Sequence, residues 1–597
     1  MPDATEEHRS PAYQYQAIVA VFAALIFLAC IFSPPYLMDD VDAVQAQIAR
    51  NMLESGDWVT PHLDGVAYME KPPLKYWMIS VAFALFGVHD WAARLPVALS
   101  AVILCWLTAR LGAWAFGKQA GLYAGMALAT CVGLFLFTRV LIADVILTLA
   151  IALGMWAFLR ALDPDDKHPA AWAMTLWAAM AVGLMLKGLI GVVFPIGSGL
   201  IFLVASGQWR SPEAWRRLRI IPGILLLLAI AAPWHILATL RNPPYLDFTL
   251  HAEQGSYHGF FWFYFINEQL LRFLNLRYPR DYNTVPRLYF WLLHLVWLFP
   301  WSVYLPALLH LKYRPPDRAS RTRLLALCWI ACVLIFFTFS TTQEYYSMPC
   351  YPALALLIGV ALTQDGAAVR TGTRVAALVA TSVLAVISAI MFLVRNLPTP
   401  GDIASALSEH PTEYYTLSLG HMTDLTLSAF AYLRLPLAVA AAAFLVGAGG
   451  AWFFKGWRAA LSLAVMMTLF FHAARLAMIG FDPYLSSRAL ALALVRAPAG
   501  KLIVDNPYYE FSSVFFYSRR AALLLNGRKN NLEYGSYAPG APQVFIDDAG
   551  FVQLWSTPQR YYVVTEGPKL PRLRNLIGES HLHPVAASGG KFLFCNQ

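Results

Sequence analysis

"AIVAVFAALIFLACIFSPPYLMDDVDAVQAQIARNMLESGDWVTPHLDGVAYMEKPPLKYW", residues 17–77, joins an apolar run to the densest carboxylate cluster of the chain. The run reads as a membrane helix over 14–34, because it is long enough to cross a ~30 Å hydrocarbon core. No small-residue cleavage site follows it, so it is expected to stay in the protein as a span. Between Tyr36 and Trp77 stand Asp39, Asp40, Asp42, Glu54, Asp57, Asp64 and Glu70, against Arg50, Lys71 and Lys75. Carboxylates in such number at the mouth of a first membrane helix ask for a chemical reason.

The rest of the chain fits that reading. Of 597 residues 58% are hydrophobic and only 13% charged, and the mean hydropathy of +0.53 excludes an ordinary soluble protein. Apolar runs predict spans near 14–34, 92–112, 118–137, 141–160, 172–186, 189–206, 220–239, 286–310, 324–341, 349–363, 375–395, 434–454 and 459–480, thirteen in all. The segment "LKYWMISVAFALFGV" (74–88) is short and is expected to lie along the membrane face. The net charge of +9 does not signal nucleic acid. Its Lys and Arg gather in "QWRSPEAWRRLR" (208–219) and "HLKYRPPDRASRTR" (310–323), which the positive-inside rule makes cytoplasmic loops. The seven Cys show no metal or disulfide spacing.

That topology puts three pieces on the outer face: loop 35–91, loop 240–285 and the tail. The expected organisation is a membrane domain over 1–480 and a small soluble α/β domain over 481–597. The tail carries strand-like stretches such as "KLIVD" and "YYVVTEG" between Gly, Pro and Asn.

Asp39, Asp40 and Asp42 could cap the helix that begins near Val41, but one Asp suffices for a cap. Grouped carboxylates raise one another's pKa and suit a general base or metal ligand. Asp144, within "TRVLIADVILTLA", is a carboxylate in an apolar run, either satisfied by nearby Arg139 or a helix N-terminus, or functional. Two crossings separate Asp40 from Asp144, so both are expected on one side. Glu70, Lys71 and Lys75 surround a Pro pair. Arg94, Lys187, Glu268 and Arg272 add charge on the same side, and Tyr345 and Tyr346 either line the site or form an interfacial belt. Single cations there could merely snorkel to headgroups. Together they suit an anionic group at the membrane surface, a phosphate above all. His235, His251, His258 and Glu253 match no recognised metal spacing.

In order along the chain, the acidic cluster, "IARNMLESGDWVTPHLDGVAYMEKPPLKYW", "FGVHDWAARLP", "RVLIAD", "LKGLIGVVFP" and "SMPCYPALALL" resemble the bacterial glycosyltransferases of the protein-O-mannosyltransferase superfamily. The layout is similar to that of the lipid A aminoarabinose transferases. The resemblance covers about 14–365 and implies a GT-C enzyme in the bacterial inner membrane, with its active site and tail facing the periplasm. Such an enzyme moves a sugar, with inversion, from an undecaprenyl-phosphate donor to a lipid or glycan acceptor, lipid A among them. By that resemblance an Asp of the first loop, Asp40 or Asp42, is the catalytic carboxylate. Asp144 matches a second family carboxylate, Arg94 an arginine near the carrier phosphate, and Glu70 and Lys71 the site lining. Asp39, Lys75, Arg139, Lys187, Glu268, Arg272, Tyr345 and Tyr346 complete the expected donor site. The family's Asp-Glu pair nine residues before the arginine equivalent to Arg50 falls here on Val41-Asp42. Its Glu-His is Glu268-Gln269, and its basic residue before the tyrosines is replaced by Gln343-Glu344. No cofactor is implied with certainty, and a divalent metal ion is left open.

Two other acceptors, a protein hydroxyl or a surface polysaccharide, fit the same residues. A lipid-linked sugar transporter would place its charges near the membrane midplane instead of at one face. A non-catalytic assembly subunit would use the tail as a binding module.

Overall fold

The computed structural model describes residues 12–31, 35–280, 285–314, 317–408 and 424–597. The end of the first expected span, at 32–34, and residues 281–284 of the second outer loop lie outside the described residues. The architecture is that of a multi-pass helical membrane protein with a small sheet formed by its last hundred residues.

Among the described residues nine helices are long and apolar enough to cross a membrane. A tenth is counted if Arg287–Trp297 and Trp301–His310, bent by 101° at their junction, make one span. The thirteen expected runs all fall on helix, but some are shorter or broken. Gln14–Phe27 and Ile190–Ala205 are short apolar helices. The run 118–137 is split into Lys118–Ala129 and Val132–Phe137. At that split Thr130 turns its hydroxyl back on the Met126 carbonyl and accepts the Trp301 indole N–H, so the chain satisfies its own polar groups where the helix stops. The bend at Leu298–Pro300 falls where proline offers no amide to continue the helix. Hydropathy cannot register such breaks, because the residues on both sides remain apolar.

The segment expected to lie on the membrane face forms a helix of 13 residues, Leu74–Phe86, too short to cross ~30 Å at 1.5 Å per residue. Val81, Leu85 and Phe86 are exposed on it.

The tail holds a six-stranded mixed sheet. Strands Phe545–Ile546, Ala522–Leu525, Lys501–Asp505 and Tyr561–Glu566 run parallel in that spatial order, and Lys591–Cys595 and His583–Ser588 add antiparallel pairs. Leu502, Ile503, Val504, Val563 and Val564 are fully buried, as central parallel strands covered on both faces require.

The acidic first loop is folded onto this tail. After the helix Val41–Ser55 the loop makes a two-residue hairpin, His62–Leu63 with Val66–Ala67. Its turn is Asp64-Gly65, with φ of 50° and 80°, the left-handed pair that a tight hairpin needs. Gly535 of the tail sits on the hairpin so closely that an added Cβ would stand 2.0 Å from the Ala67 carbonyl oxygen. Any side chain at 535 would push loop and tail apart.

Candidate active site

The three clustered aspartates do three different things. Asp39 is pinned to the tail: its carboxylate accepts from Lys591 Nζ at 2.7 Å, Ser487 Oγ at 2.5 Å and the Ser513 amide at 2.8 Å. Asp42 is buried and faces the membrane domain, accepting from Arg94 at 2.6 Å and the Leu141 amide at 3.0 Å. Asp40 between them has an exposed side chain and occupies the cap position without capping the helix. Its φ of 67° and ψ of −125° are unusual for a residue with a Cβ. The backbone is held there by its neighbours: the Asp40 amide donates to the Tyr509 carbonyl at 2.7 Å, and Ser512 Oγ donates to the Asp40 carbonyl at 3.2 Å. Over-determined strain of this kind clusters at functional positions.

Leu141 links the acidic loop to the next group of charges. Its amide serves Asp42, while its carbonyl accepts from Lys75 Nζ at 3.0 Å. Lys75 also donates to Gln45 at 2.5 Å. Burial, aided by the nearby Lys71 cation, pulls the Lys75 ammonium down to about 7. Asp144 opens the helix Asp144–Leu162, where its charge suits the helix dipole, and pairs with Lys187 at 2.5 Å. Lys187 closes the helix Pro169–Lys187, and its ammonium lies 5.0 and 4.5 Å from the ring centres of Tyr345 and Tyr346. The chain then turns at Gly188, φ 77°, where a side chain would collide with Gln269.

Beside Lys187 opens a small cavity, holding about 80 Å³, lined among others by Glu70, Lys71, Glu268, Arg272 and Tyr346, with Phe336 and Phe337 on one wall. Glu268 and Arg272 come from a π-type helical stretch, Trp262–Leu271, and the turn after it, an irregularity frequent at functional sites. Arg272 donates to Glu268 at 2.7 Å and to the Tyr346 hydroxyl at 3.1 Å, and reaches Glu70 at 3.5 Å. Lys71 pairs with Glu70 and stands 3.7 Å from Glu268. Glu70 further accepts from Tyr68 at 2.6 Å and Asn531 at 2.5 Å. Burial alone would raise the Glu70 carboxyl, but Lys71, Arg277 and Arg272 hold it well below the usual carboxylate range. The cavity therefore presents fixed carboxylates that orient lysine and arginine side chains, and those cations can take an incoming anion.

A divalent ion does not fit these residues. Among the described residues no three His, Cys, Asp or Glu side chains converge as ligands. The Glu268 oxygens serve Arg272 and Arg277, and the Glu70 oxygens serve Lys71, Tyr68 and Asn531. Gln269 turns its amide oxygen to the Leu189 N–H at 3.1 Å. His235 bonds the Ala231 carbonyl and His258 bonds Asp247.

Of the expected residues, Asp39, Asp40, Asp42, Lys75, Arg94, Arg139, Asp144 and Tyr345 do not line this cavity, though Asp144 and Tyr345 reach it through Lys187. Arg94 is engaged by Asp42 and by the Pro35 and Tyr36 carbonyls, and lines a different, larger cavity. Arg139 stacks over Phe135 at 5.2 Å and donates to the Cys30 carbonyl, leaving Asp144 to Lys187. Arg277, a cation of loop 240–285 that stands out in the sequence beside Glu268 and Arg272, binds Glu268 and Asn531. Two further partners carried no sequence signal of comparable weight. Asn531 and Lys591 lie in the tail, more than 450 residues from Glu70 and Asp39, and no motif points to them.

Residues 70–237 match the dolichyl-phosphate-mannose-protein mannosyltransferase family. The chain is 28% identical over 360 residues to an undecaprenyl phosphate-alpha-4-amino-4-deoxy-L-arabinose arabinosyl transferase of Pectobacterium carotovorum, covering 59% of this chain and 60% of that relative. It is likewise 28% identical over 354 residues to the enzyme of that name from Yersinia enterocolitica, covering 58% and 59%. The match thus spans about three fifths of these relatives' length. In three dimensions the chain resembles ArnT from Cupriavidus metallidurans bound to undecaprenyl phosphate, with a TM-score of 0.76 and 22% identity over 98% of both chains. It also resembles an Archaeoglobus fulgidus oligosaccharyltransferase, with a TM-score of 0.52 and 13% identity, covering 99% of this chain and 74% of the other. The chain therefore has the GT-C fold that ArnT adopts, and its segment 70–237 matches the mannosyltransferase family.

Proposed function

We propose that this chain is an inverting glycosyltransferase that moves a sugar from an undecaprenyl-phosphate carrier to lipid A or another lipid acceptor. The reaction occurs at the periplasmic face of the bacterial inner membrane. The observation that carries the reading is the cavity in which Lys71, Lys187 and Arg272 are oriented by Glu70, Glu268 and Asp144. Preorganised cations of this kind stabilise negative charge as it develops on a departing phosphate. The relatives' names support a polyprenyl-phosphate donor.

In the transfer the acceptor oxygen attacks the anomeric carbon from the face opposite the carrier. The bond from that carbon to the phosphate oxygen breaks, and polyprenyl phosphate leaves with the electron pair. Asp40 takes the acceptor's proton. It suits that role better than Asp42 because its side chain is exposed, where Asp42 is buried against Arg94 and the Leu141 amide. Asp39 and Asp42 fix the loop on either side of it. Lys75 and Arg139 support the site without lining the donor cavity.

The test is lipid and glycan mass spectrometry on cells lacking the gene, complemented with wild type or Asp40→Asn. The null strain is expected to accumulate one undecaprenyl-phosphate sugar and to lose one sugar mass from a lipid, restored by wild type alone. No carrier-linked sugar and no lost mass would end the transferase reading.

A further inference from the structure

No described residue of the tail lines the cavity beside Lys187, yet one tail side chain closes the polar ring around it. The ring runs from Glu70 to Arg272, at 3.5 Å, and from Arg272 to Glu268, at 2.7 Å. It continues through Arg277 to Asn531, whose Nδ2 returns to Glu70 at 2.5 Å. Four members belong to the two outer loops, and the fifth, Asn531, to the tail.

Chemistry narrows what can stand at that fifth place. Arg277 can only donate and ionised Glu70 can only accept, so the group between them must accept on one side and donate on the other. A primary amide does both without adding charge, and the two partners fix which way it is turned. An aspartate there would face Glu70 with a like charge. An apolar side chain would leave the buried ring one donor and one acceptor short.

Asn531 is buried, and its helix Asn530–Ser536 is seated by contacts outside the ring. The Tyr534 ring stacks on Phe263 at 4.1 Å, and its hydroxyl donates to the Gly259 carbonyl at 2.9 Å and accepts the His258 amide at 3.0 Å. Glu533 accepts the Tyr278 hydroxyl at 2.8 Å, and Gly535 lies against Ala67. The helix thus rests on both loops that furnish the cavity and would keep its place without the Asn531 amide.

The ring divides Glu70 in two. Its Oε2 accepts from Tyr68 at 2.6 Å and from Asn531, while its Oε1 faces Lys71 and Arg272. Released by Asn531, the carboxylate could turn more of its charge on those two cations, and an entering phosphate would have to compete with it.

We propose that Asn531 is a positioning residue for the lipid-linked donor: by holding one Glu70 oxygen, it keeps Lys71 and Arg272 available to the carrier phosphate. The proposal rests on the transferase reading and deepens it, because the tail then completes a donor site that it does not line.

The test measures equilibrium binding of undecaprenyl phosphate and of undecaprenol to the full-length protein in detergent, with melting temperatures on the same preparations. The proteins are wild type, Asn531→Leu, Asn531→Asp, Glu533→Ala, Lys71→Ala, and Glu70→Gln with and without Asn531→Leu. Asn531→Leu is expected to weaken undecaprenyl phosphate binding about tenfold or more, the scale of a lost hydrogen bond to a charged group. Undecaprenol, which has no phosphate, should bind as it does to wild type. Asn531→Asp keeps the shape and the Arg277 pairing but cannot donate to Glu70. It should weaken the phosphate probe as well, and it keeps the test sound if Asn531→Leu folds poorly. In the Glu70→Gln background Asn531→Leu should add less than about twofold, because the two side chains act as one unit. If both Asn531 variants bind undecaprenyl phosphate as wild type does, the assignment is overturned. It also falls if Glu533→Ala, which loosens the same helix, weakens binding equally, or if undecaprenol binding drops as much, since docking of the tail would then be the cause. Lys71→Ala tests the underlying reading separately: unchanged undecaprenyl phosphate binding would remove the donor site whatever Asn531 does.

Discussion

Lys591 of the last strand meets Asp39 of the first loop at 2.7 Å, across 552 residues of sequence, and both side chains are nearly buried. The pair ties the tail to the loop next to Asp40. Removing one partner of a buried pair leaves the other charge unsatisfied and costs about 3–5 kcal/mol. Lys591→Met is therefore expected to lower the melting temperature of the purified protein and to depress turnover. Lys591→Arg should recover most of both. Wild-type stability and turnover in Lys591→Met would show that the tail is not needed to hold the loop.

Asp40 and Asp42 are expected to separate cleanly in a paired experiment. Asp42 is buried against Arg94 and its loss should destabilise the fold by about 3–5 kcal/mol. Asp40 is exposed, so Asp40→Asn should melt like wild type while transfer falls by about 10²–10⁴, the contribution of a general base. Thermal melts and turnover on the same preparations decide the matter. Full activity in Asp40→Asn would move the base elsewhere.

Much of this arrangement is legible in the residues. Glu70, Lys71, Glu268 and Arg272 attract notice because charge is scarce in a chain so apolar, and they do meet in one cavity. Asp144 is equally visible, yet its partner is Lys187 and not the nearer-in-sequence Arg139. Sequence spacing fixes which helix a residue occupies but not which helices pack together. Asn531 and Lys591 escape for a related reason. They are ordinary surface-type residues of a small α/β fold, and they matter only because the tail closes over the loop. The interrupted helices at Thr130 and Pro300 escape because hydropathy averages over the break.

The cavity beside Lys187, read as the donor site, predicts a graded response. On the proposed reading Lys71→Ala and Arg272→Ala each remove a cation that stabilises the leaving phosphate and should lower kcat/KM for the lipid-linked donor by about 10²-fold or more. Tyr346→Phe removes one hydrogen bond to Arg272 and should cost only several-fold, in line with ~1 kcal/mol for such a bond. Turnover assays with purified donor check the order. An effect of Tyr346→Phe as large as that of Lys71→Ala would contradict the assigned roles.

Asp64, at the hairpin turn, makes stability depend on pH. Burial raises its carboxyl to about 7, against only a weak contact from the Ala522 amide at 3.4 Å, and one of its oxygens is buried without a partner. In the unfolded chain an Asp titrates near ~3.9, so between roughly pH 4 and 7 the folded protein holds a proton that the unfolded one has lost. Stability from this group is full below that window, declines as pH rises through it, and is level above about 7. Asp64→Asn keeps the shape and cannot ionise. The variant's melting temperature should therefore gain on wild type steadily from pH 4 to 7, with no further gain from 7 to 8.5. A constant difference across the whole range would mean that Asp64 is ionised in the folded protein throughout, and that the hairpin meets the tail through a charged carboxylate.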